Sequence, residues 1–174
     1  YRNTGDNFNI LLNFSNPTSS GQEASIELTP YYTTVYGFAG PEGRLENVVW
    51  PHDYLWHQVT VVVNKSGGYW SLYLDGKEVY SYKYDGALPN FAYLELASAQ
   101  NEPVAVDELS IWNRSLPLSE IKTINLLDQP FNPYTWPEKQ QKAKLARYWS
   151  FDENEGTSAK DAVASDDMTI DVNQ

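Results

Sequence analysis

The sequence predicts an all-β fold of short antiparallel strands, with one or two short helices confined to its C-terminal part. Three observations point there. Aromatic residues make up 14% of the 174 residues, with 13 Tyr and 6 Trp, and such side chains favour the pleated surface of a sheet. Val and Leu repeatedly alternate with polar residues, which is the period of a strand. Ten Gly and ten Pro punctuate these alternating runs as turn residues do.

Residues 9–14, 24–28 and 32–38 read as three strands, with Asn16-Pro17-Thr18-Ser19-Ser20-Gly21 and Gly40-Pro41-Glu42-Gly43 as turns. Val59, Val61 and Val63 line one face of the next strand. The clearest hairpin joins 68–74 to 77–84 through Asp75-Gly76, a pair that supplies the positive φ values of a type I′ turn. Strict alternation then sets Leu74 opposite Lys77, Leu72 opposite Val79 and Trp70 opposite Ser81. Trp70, Leu72, Leu74 and Val79 form the apolar face. Tyr69, Tyr73, Tyr80, Tyr82 and Tyr84 fall together on the other face. Two further strands are predicted over 92–96 and 104–112, and a helix over 115–127 in which Ile121, Ile124 and Leu127 recur at helical spacing. Period-two spacing makes Leu72, Leu74, Val59, Val61, Leu109 and Ile111 core residues.

Pro130, Pro133 and Pro137 exclude regular helix over 129–136, which reads as an extended connector before a helix-prone 138–147. Tyr148-Trp149-Ser150-Phe151-Asp152 begins a new strand, with Trp149 and Phe151 on one face. The expected division is therefore a sandwich over 1–128, a connector with a short helix over 129–147, and a strand and loop over 148–174. The last segment is too short to fold alone.

Twelve Lys and Arg against 23 Asp and Glu give a net charge of -11, which disfavours nucleic acid and anionic lipid and leaves neutral or cationic ligands as partners. No run approaches the roughly 20 apolar residues of a membrane helix. With no Cys there is no disulfide framework, thiolate metal site or cysteine nucleophile. The chain opens with Tyr1 rather than Met, so the expectation is a processed product or an excerpt of a longer protein. Sequons at Asn13, Asn64 and Asn113 permit glycosylation in an extracellular or cell-surface setting.

Three motifs come in a recognisable order: Trp56-His57-Gln58-Val59, then Leu72-Tyr73-Leu74-Asp75-Gly76-Lys77-Glu78-Val79, then Val106-Asp107-Glu108-Leu109-Ser110-Ile111-Trp112-Asn113-Arg114-Ser115-Leu116 with Ser119-Glu120-Ile121. Over residues 5–127 the chain resembles laminin G-like jelly-roll domains of the concanavalin A-like lectin/glucanase superfamily. The resemblance implies an antiparallel jelly-roll β-sandwich. In that family, a strand resembling Tyr148-Trp149-Ser150-Phe151-Asp152-Glu153 and a loop resembling Gly156-Thr157-Ser158-Ala159-Lys160-Asp161 open the domain, whereas here they come last. They either begin a second repeat or supply a missing edge strand to their own sandwich or a neighbouring subunit.

Tyrosine offers a flat apolar ring and a hydroxyl, so the stripe of Tyr69, Tyr73, Tyr80, Tyr82 and Tyr84 reads either as a carbohydrate platform or as a packing surface. The laminarinase branch of the superfamily is implied to hydrolyse glycans with acids spaced as Glu-x-Asp-x-x-Glu. Here Asp107 and Glu108 are adjacent and point to opposite faces, and Glu95 alternates with leucines as a solvent-facing residue. His52 and His57 are the only histidines, and no zinc pattern surrounds them; the resemblance gives His57 a packing and hydrogen-bonding role. It also implies calcium, with Asp152 and Asp161 as ligands. However, Ala162-Val163-Ala164-Ser165-Asp166-Asp167 replaces the family's Ser-Gly-Asn-Gly stretch, which keeps a solvated acidic loop open as the alternative. The expected function is a non-catalytic extracellular or surface recognition and adhesion module binding glycan or protein. A structural subunit of a surface layer, filament or virion is the alternative, and a glycan hydrolase is less favoured.

Overall fold

The computed structural model describes residues 2–3, 10–15, 23–29, 33–36, 43–45, 48, 50–51, 53–83, 93–98, 104–125 and 144–169. Two compact units emerge, 1–105 and 106–174. The division thus falls at 105/106, ahead of the Pro-rich connector, which lies outside the described residues. No helix among the described residues is long and apolar enough to cross a membrane.

The first unit is a two-sheet antiparallel sandwich. Among the described residues its strands are β1 (Arg2–Asn3), β2 (Ile10–Ser15), β3 (Glu23–Leu28), β4 (Thr33–Tyr36), β5 (Gly43–Leu45), β6 (Val59–Asn64), β7 (Tyr69–Leu74), β8 (Lys77–Lys83), β9 (Tyr93–Ser98) and β10 (Val104–Ala105). One sheet has the order β5-β4-β3-β2-β9 and the other β6-β7-β8, while β1 pairs with β10. Ile26, Leu28 and Val35 from the five-stranded sheet meet Trp70 and Leu72 from the three-stranded one, together with Val48 and Trp50. Val59, Val61, Val63 and Leu74 pack on this core while keeping partial exposure. The alternation of the sequence is the cause, since one face of each sheet is apolar and can leave water only against the other.

One polar group enters this core with its bonds satisfied. Thr33 is fully buried; its hydroxyl donates to the Val48 carbonyl at 3.0 Å and accepts the Trp50 indole N–H, so burying it carries no orphaned donor.

The β7–β8 hairpin turns as expected, with φ of 49° at Asp75 and 71° at Gly76. Its register departs from the expected one after two pairs. Leu74 faces Lys77 and Tyr73 faces Glu78, but Leu72 faces Tyr80, Ser71 faces Ser81 and Trp70 faces Tyr82. A bulge at Val79 inserts one residue and reverses the parity of every later side chain. Val79 and Tyr80 consequently both pack on the core.

The second unit carries β11 (Leu109–Trp112), α1 (Leu118–Asn125), β12 (Leu145–Trp149), β13 (Ser158–Ala159) and β14 (Met168–Thr169). The single strand expected over 104–112 is interrupted at 106–108, where Glu108 takes a positive φ of 53°. Residues 145–147, read from sequence as helix-prone, are strand. β12 pairs antiparallel with β11, Leu109 opposite Trp149 and Ser110 opposite Tyr148. The late strand is therefore paired within its own chain, in a two-stranded sheet with β11, and both Tyr148 and Trp149 are buried. The strand stops before Phe151, whose φ is 57°, so Trp149 and Phe151 do not form the expected strand face. In α1, the N–H groups of Glu120 and Ile121 donate to the Pro117 carbonyl, and Ile121 is fully buried. Arg114 lies over the Trp112 ring at 5.0 Å and pairs with Glu120 at 2.6 Å, which ties the Trp-Asn-Arg-Ser run to the helix. Leu109 and Ile111 are half-buried.

Candidate ligand-binding site

Two sequence motifs of the first unit meet in one hydrogen-bonded clamp. The Asp75 carboxylate, presented by the type I′ turn, accepts the Gln58 N–H through Oδ1 at 2.9 Å and meets His57 Nδ1 through Oδ2 at 2.8 Å. The turn replies with its own backbone, Asp75 N–H to the Gln58 carbonyl at 3.0 Å. The other ring nitrogen of His57 meets Asp53 Oδ1 at 2.8 Å, and the same oxygen accepts the Leu55 N–H at 3.0 Å. The His57 side chain is 9% exposed. Burial pushes its pKa down, but the hydrogen bonds and charges of Asp53 and Asp75 outweigh this and hold it above the usual histidine value. His57 is thus a tie between a loop and a hairpin, as its motif implies.

The clamp pins a loop whose large side chains remain in solvent. Tyr54 is 45% exposed, Leu55 61% and Trp56 51%. Tyr54 sits at φ 61°, a conformation disfavoured for a bulky side chain and held by the Asp53 turn on one side and His57 on the other. Nothing in the composition marked this loop. The local signal was the run Asp53-Tyr54-Leu55-Trp56, turn chemistry followed by apolar bulk with no alternation.

The five-tyrosine face does not form as expected, because the bulge divides it. Tyr80 and Tyr82 stand opposite Leu72 and Trp70, and the Tyr80 ring lies 5.2 Å from Trp70, tilted at 45°. Tyr73 is buried and its hydroxyl donates to Glu78 at 2.9 Å; burial, then that bond, raises its pKa. The Tyr69 hydroxyl accepts the Asn64 amide at 3.1 Å. Tyr82 is exposed, and Tyr84 lies outside the described residues, as does His52.

Of the sequons, Asn113 is exposed just beyond β11. Asn13 donates across the sheet to Glu95 at 3.4 Å, and Glu95 is exposed as expected. Asn64 is folded into its turn, where Oδ1 accepts the Gly67 N–H at 2.7 Å and the Ser66 hydroxyl at 3.0 Å. A Cβ at Gly67 would lie 2.7 Å from the Tyr69 ring and 2.9 Å from Asn64, so a larger residue there would have to displace one of these side chains.

The acids of the second unit are engaged in its own structure. Asp107 Oδ1 accepts the Glu108 N–H at 3.0 Å, and burial raises the Asp107 pKa. Glu108 accepts the Tyr148 hydroxyl; burial pushes its pKa up to about 7, against that hydrogen bond. The linkage has a definite sign. A carboxyl whose folded pKa lies above its unfolded value of 4.5 binds more protons when folded, so it favours the fold below pH 4.5 and loses that benefit as pH rises towards about 7. Glu108→Gln, whose amide oxygen can still accept from Tyr148, should therefore be more stable than the parent above pH 7 by about 1–2 kcal/mol, allowing for solvent screening of a part-buried group. Thermal melts from pH 4 to 8 check this, with the gap closing towards the acid end.

Asp161 is buried and closes the loop after β13 onto β12. Its Oδ1 accepts the Tyr148 N–H at 3.1 Å and the Val163 N–H at 2.9 Å. Oδ2 has no hydrogen bond but lies 3.3 Å from Arg147 Nε. Arg147 also pairs with Asp166, and the Trp149 indole donates to the Asp166 carbonyl at 3.3 Å.

Residues 3–122 match the laminin G-type family model of the concanavalin A-like lectin/glucanases superfamily. The chain belongs to this superfamily. Its His57–Asp75 clamp and Arg114–Glu120 tie are what the matched motifs build here. A search of the curated proteins finds no match to the chain. Among solved structures, the chain is similar to a Bacteroides ovatus ATCC 8483 protein described as a candidate carbohydrate-binding protein. The TM-score is 0.51 at 15% identity, with 98% of this chain and 56% of that chain covered. The chain thus spans little more than half of that structure's length, and the likeness shows the fold alone.

The superfamily implies calcium at Asp152 and Asp161. Among the described residues no group of three or more His, Cys, Asp or Glu could hold a metal ion. Asp161 already receives two backbone N–H groups and a guanidinium, so Arg147 supplies the positive charge that a cation would bring. Asp152 is exposed.

Proposed function

We propose that this chain is a non-catalytic carbohydrate-recognition module acting in an extracellular or cell-surface setting. The observation that carries the reading is the chemistry left at the surface of the first unit. Tyr54, Trp56 and Tyr82 are exposed rings on a sandwich of this superfamily, and exposed aromatics offer stacking surfaces to the C–H faces of sugars. The net charge of -11 favours neutral partners over anionic ones. A non-hydrolytic role is supported by how the candidate acids are used. Glu108 accepts the Tyr148 hydroxyl and Asp107 the next backbone N–H, so both carboxylates are engaged in the unit's own structure. The exposed sequon Asn113 suits a glycosylated surface protein. A glycan array probed with the full chain tests the reading; binding to at least one class of neutral glycan is expected, and a blank array at high protein concentration rejects it.

A further inference from the structure

We infer that the glycan is held at the 53–57 loop, by Tyr54 and Trp56 with Asp53 beside them, and that its class is neutral rather than acidic. The inference rests on the carbohydrate-binding reading and assigns its site and ligand class.

Three features single out this loop. Its two aromatics are about half exposed. Burying such rings would stabilise the fold by roughly 1.5–3 kcal/mol each, so leaving both in solvent is a standing cost that bound ligand removes. The backbone beneath them is fixed. Asp53 holds the Leu55 N–H, and His57 is tied to Asp53 and to Asp75 of the hairpin. A preorganised loop loses little conformational entropy on binding, which matters for a heavily hydrated ligand such as a sugar, whose hydroxyls must give up water to bind. Finally, the polar groups at the edge of the loop are acceptors. Asp53 and Asp75 are each partly exposed, so they suit the hydroxyl donors of a neutral sugar and repel uronates or sulfated sugars.

The tyrosines of the hairpin make a poorer site. Tyr73 is buried, Tyr80 packs on the core, and the hydroxyl of Tyr69 is taken by Asn64.

The test uses the full chain with two probe panels measured by calorimetry or tryptophan fluorescence. One panel holds neutral oligosaccharides (cellohexaose, mannohexaose, xylohexaose, laminarihexaose), and the other holds acidic ones (oligogalacturonate, hyaluronan). Binding is expected in the neutral panel only. Trp56→Ala should weaken it by about tenfold or more, the scale of losing one stacked ring, and Tyr54→Phe should weaken it less than Tyr54→Ala. Leu118→Ala, an exposed apolar residue on α1, should leave it unchanged. Melting temperatures should stay near the parent value for all three sites, which separates lost contact from lost fold. Neutral-glycan binding that survives both Trp56→Ala and Tyr54→Ala overturns the site. Preference for the acidic panel overturns the ligand class. No binding to either panel overturns this inference together with the broader reading.

Discussion

Replacing Trp70 with alanine is expected to cost about 3–5 kcal/mol, the range for emptying a large aromatic site in a packed core. Trp70 is fully buried on β7, the middle strand of its sheet, with Val63 of β6 on one side and Tyr82 of β8 on the other. Tyr80 of the same sheet lies against its ring, and Ile26, Leu28 and Val35 of the facing sheet share its core cluster, so truncation removes partners from both sheets and cannot be repaired by movement of one side chain. Urea unfolding of the full chain should show a lower midpoint for the unfolding of this unit. Trp70→Phe, which keeps an aromatic ring, should lose less than half as much. A loss below about 1 kcal/mol for the alanine variant would show that the core is not arranged around this residue.

The second large effect is expected in the other unit. Asp161→Ala removes the acceptor of two backbone N–H groups, those of Tyr148 and Val163, and the counter-charge of Arg147. Each orphaned buried donor costs about 1–3 kcal/mol, so the two together cost about 2–6 kcal/mol. Arg147 stays partly exposed and can return to water, which keeps the loss below that of a fully buried pair. Asp161→Asn retains the Oδ1 acceptor and should lose less. The pH dependence distinguishes the two roles. Burial alone would raise the Asp161 pKa, but the N–H donors of Val163 and Tyr148 hold it below the usual carboxylate value. Its stabilising share is therefore present above the unfolded carboxylate pKa and is lost as pH falls through the folded one. The difference between parent and Asp161→Asn in thermal melts should be full at pH 7 and shrink towards pH 3.

Sequence carried far in the sandwich because local chemistry there agrees with the fold. Alternation placed β2, β3, β6 and β7 within a residue or two of their ends, and Asp75-Gly76 specified its turn outright. It failed at Val79, because a bulge leaves no mark on composition. The residue is a good strand former in either parity, and only packing of both Val79 and Tyr80 on the core selects the shifted register. That one-residue slip divided the tyrosine stripe and with it the first candidate for a ligand surface. The break at Glu108 was illegible for a similar reason: Asp107-Glu108 sits in an otherwise regular strand pattern, and the side-chain partner of Glu108 is Tyr148, forty positions away. In the tail, sequence left open a second repeat or an edge strand for the sandwich; the strand it begins pairs with β11, Leu109 opposite Trp149, in a two-stranded sheet of its own. Asp161 was read from sequence as a calcium ligand; in the fold its carboxylate accepts two backbone N–H groups and lies beside Arg147, the middle residue of β12, a pairing across fourteen positions that no local pattern announces. The aromatic loop at 54–56 was missed because exposure is a property of the folded surface, whereas period-two patterns report only what is buried.

The most direct measurement for the whole account is a calorimetric titration of the full chain with the neutral oligosaccharide that binds best, followed by chromatography of the recovered sugar after prolonged incubation. The account predicts a saturable heat of binding, with the sugar recovered at its original length. A flat titration across the neutral panel, or recovery of shortened sugar, would contradict recognition without hydrolysis.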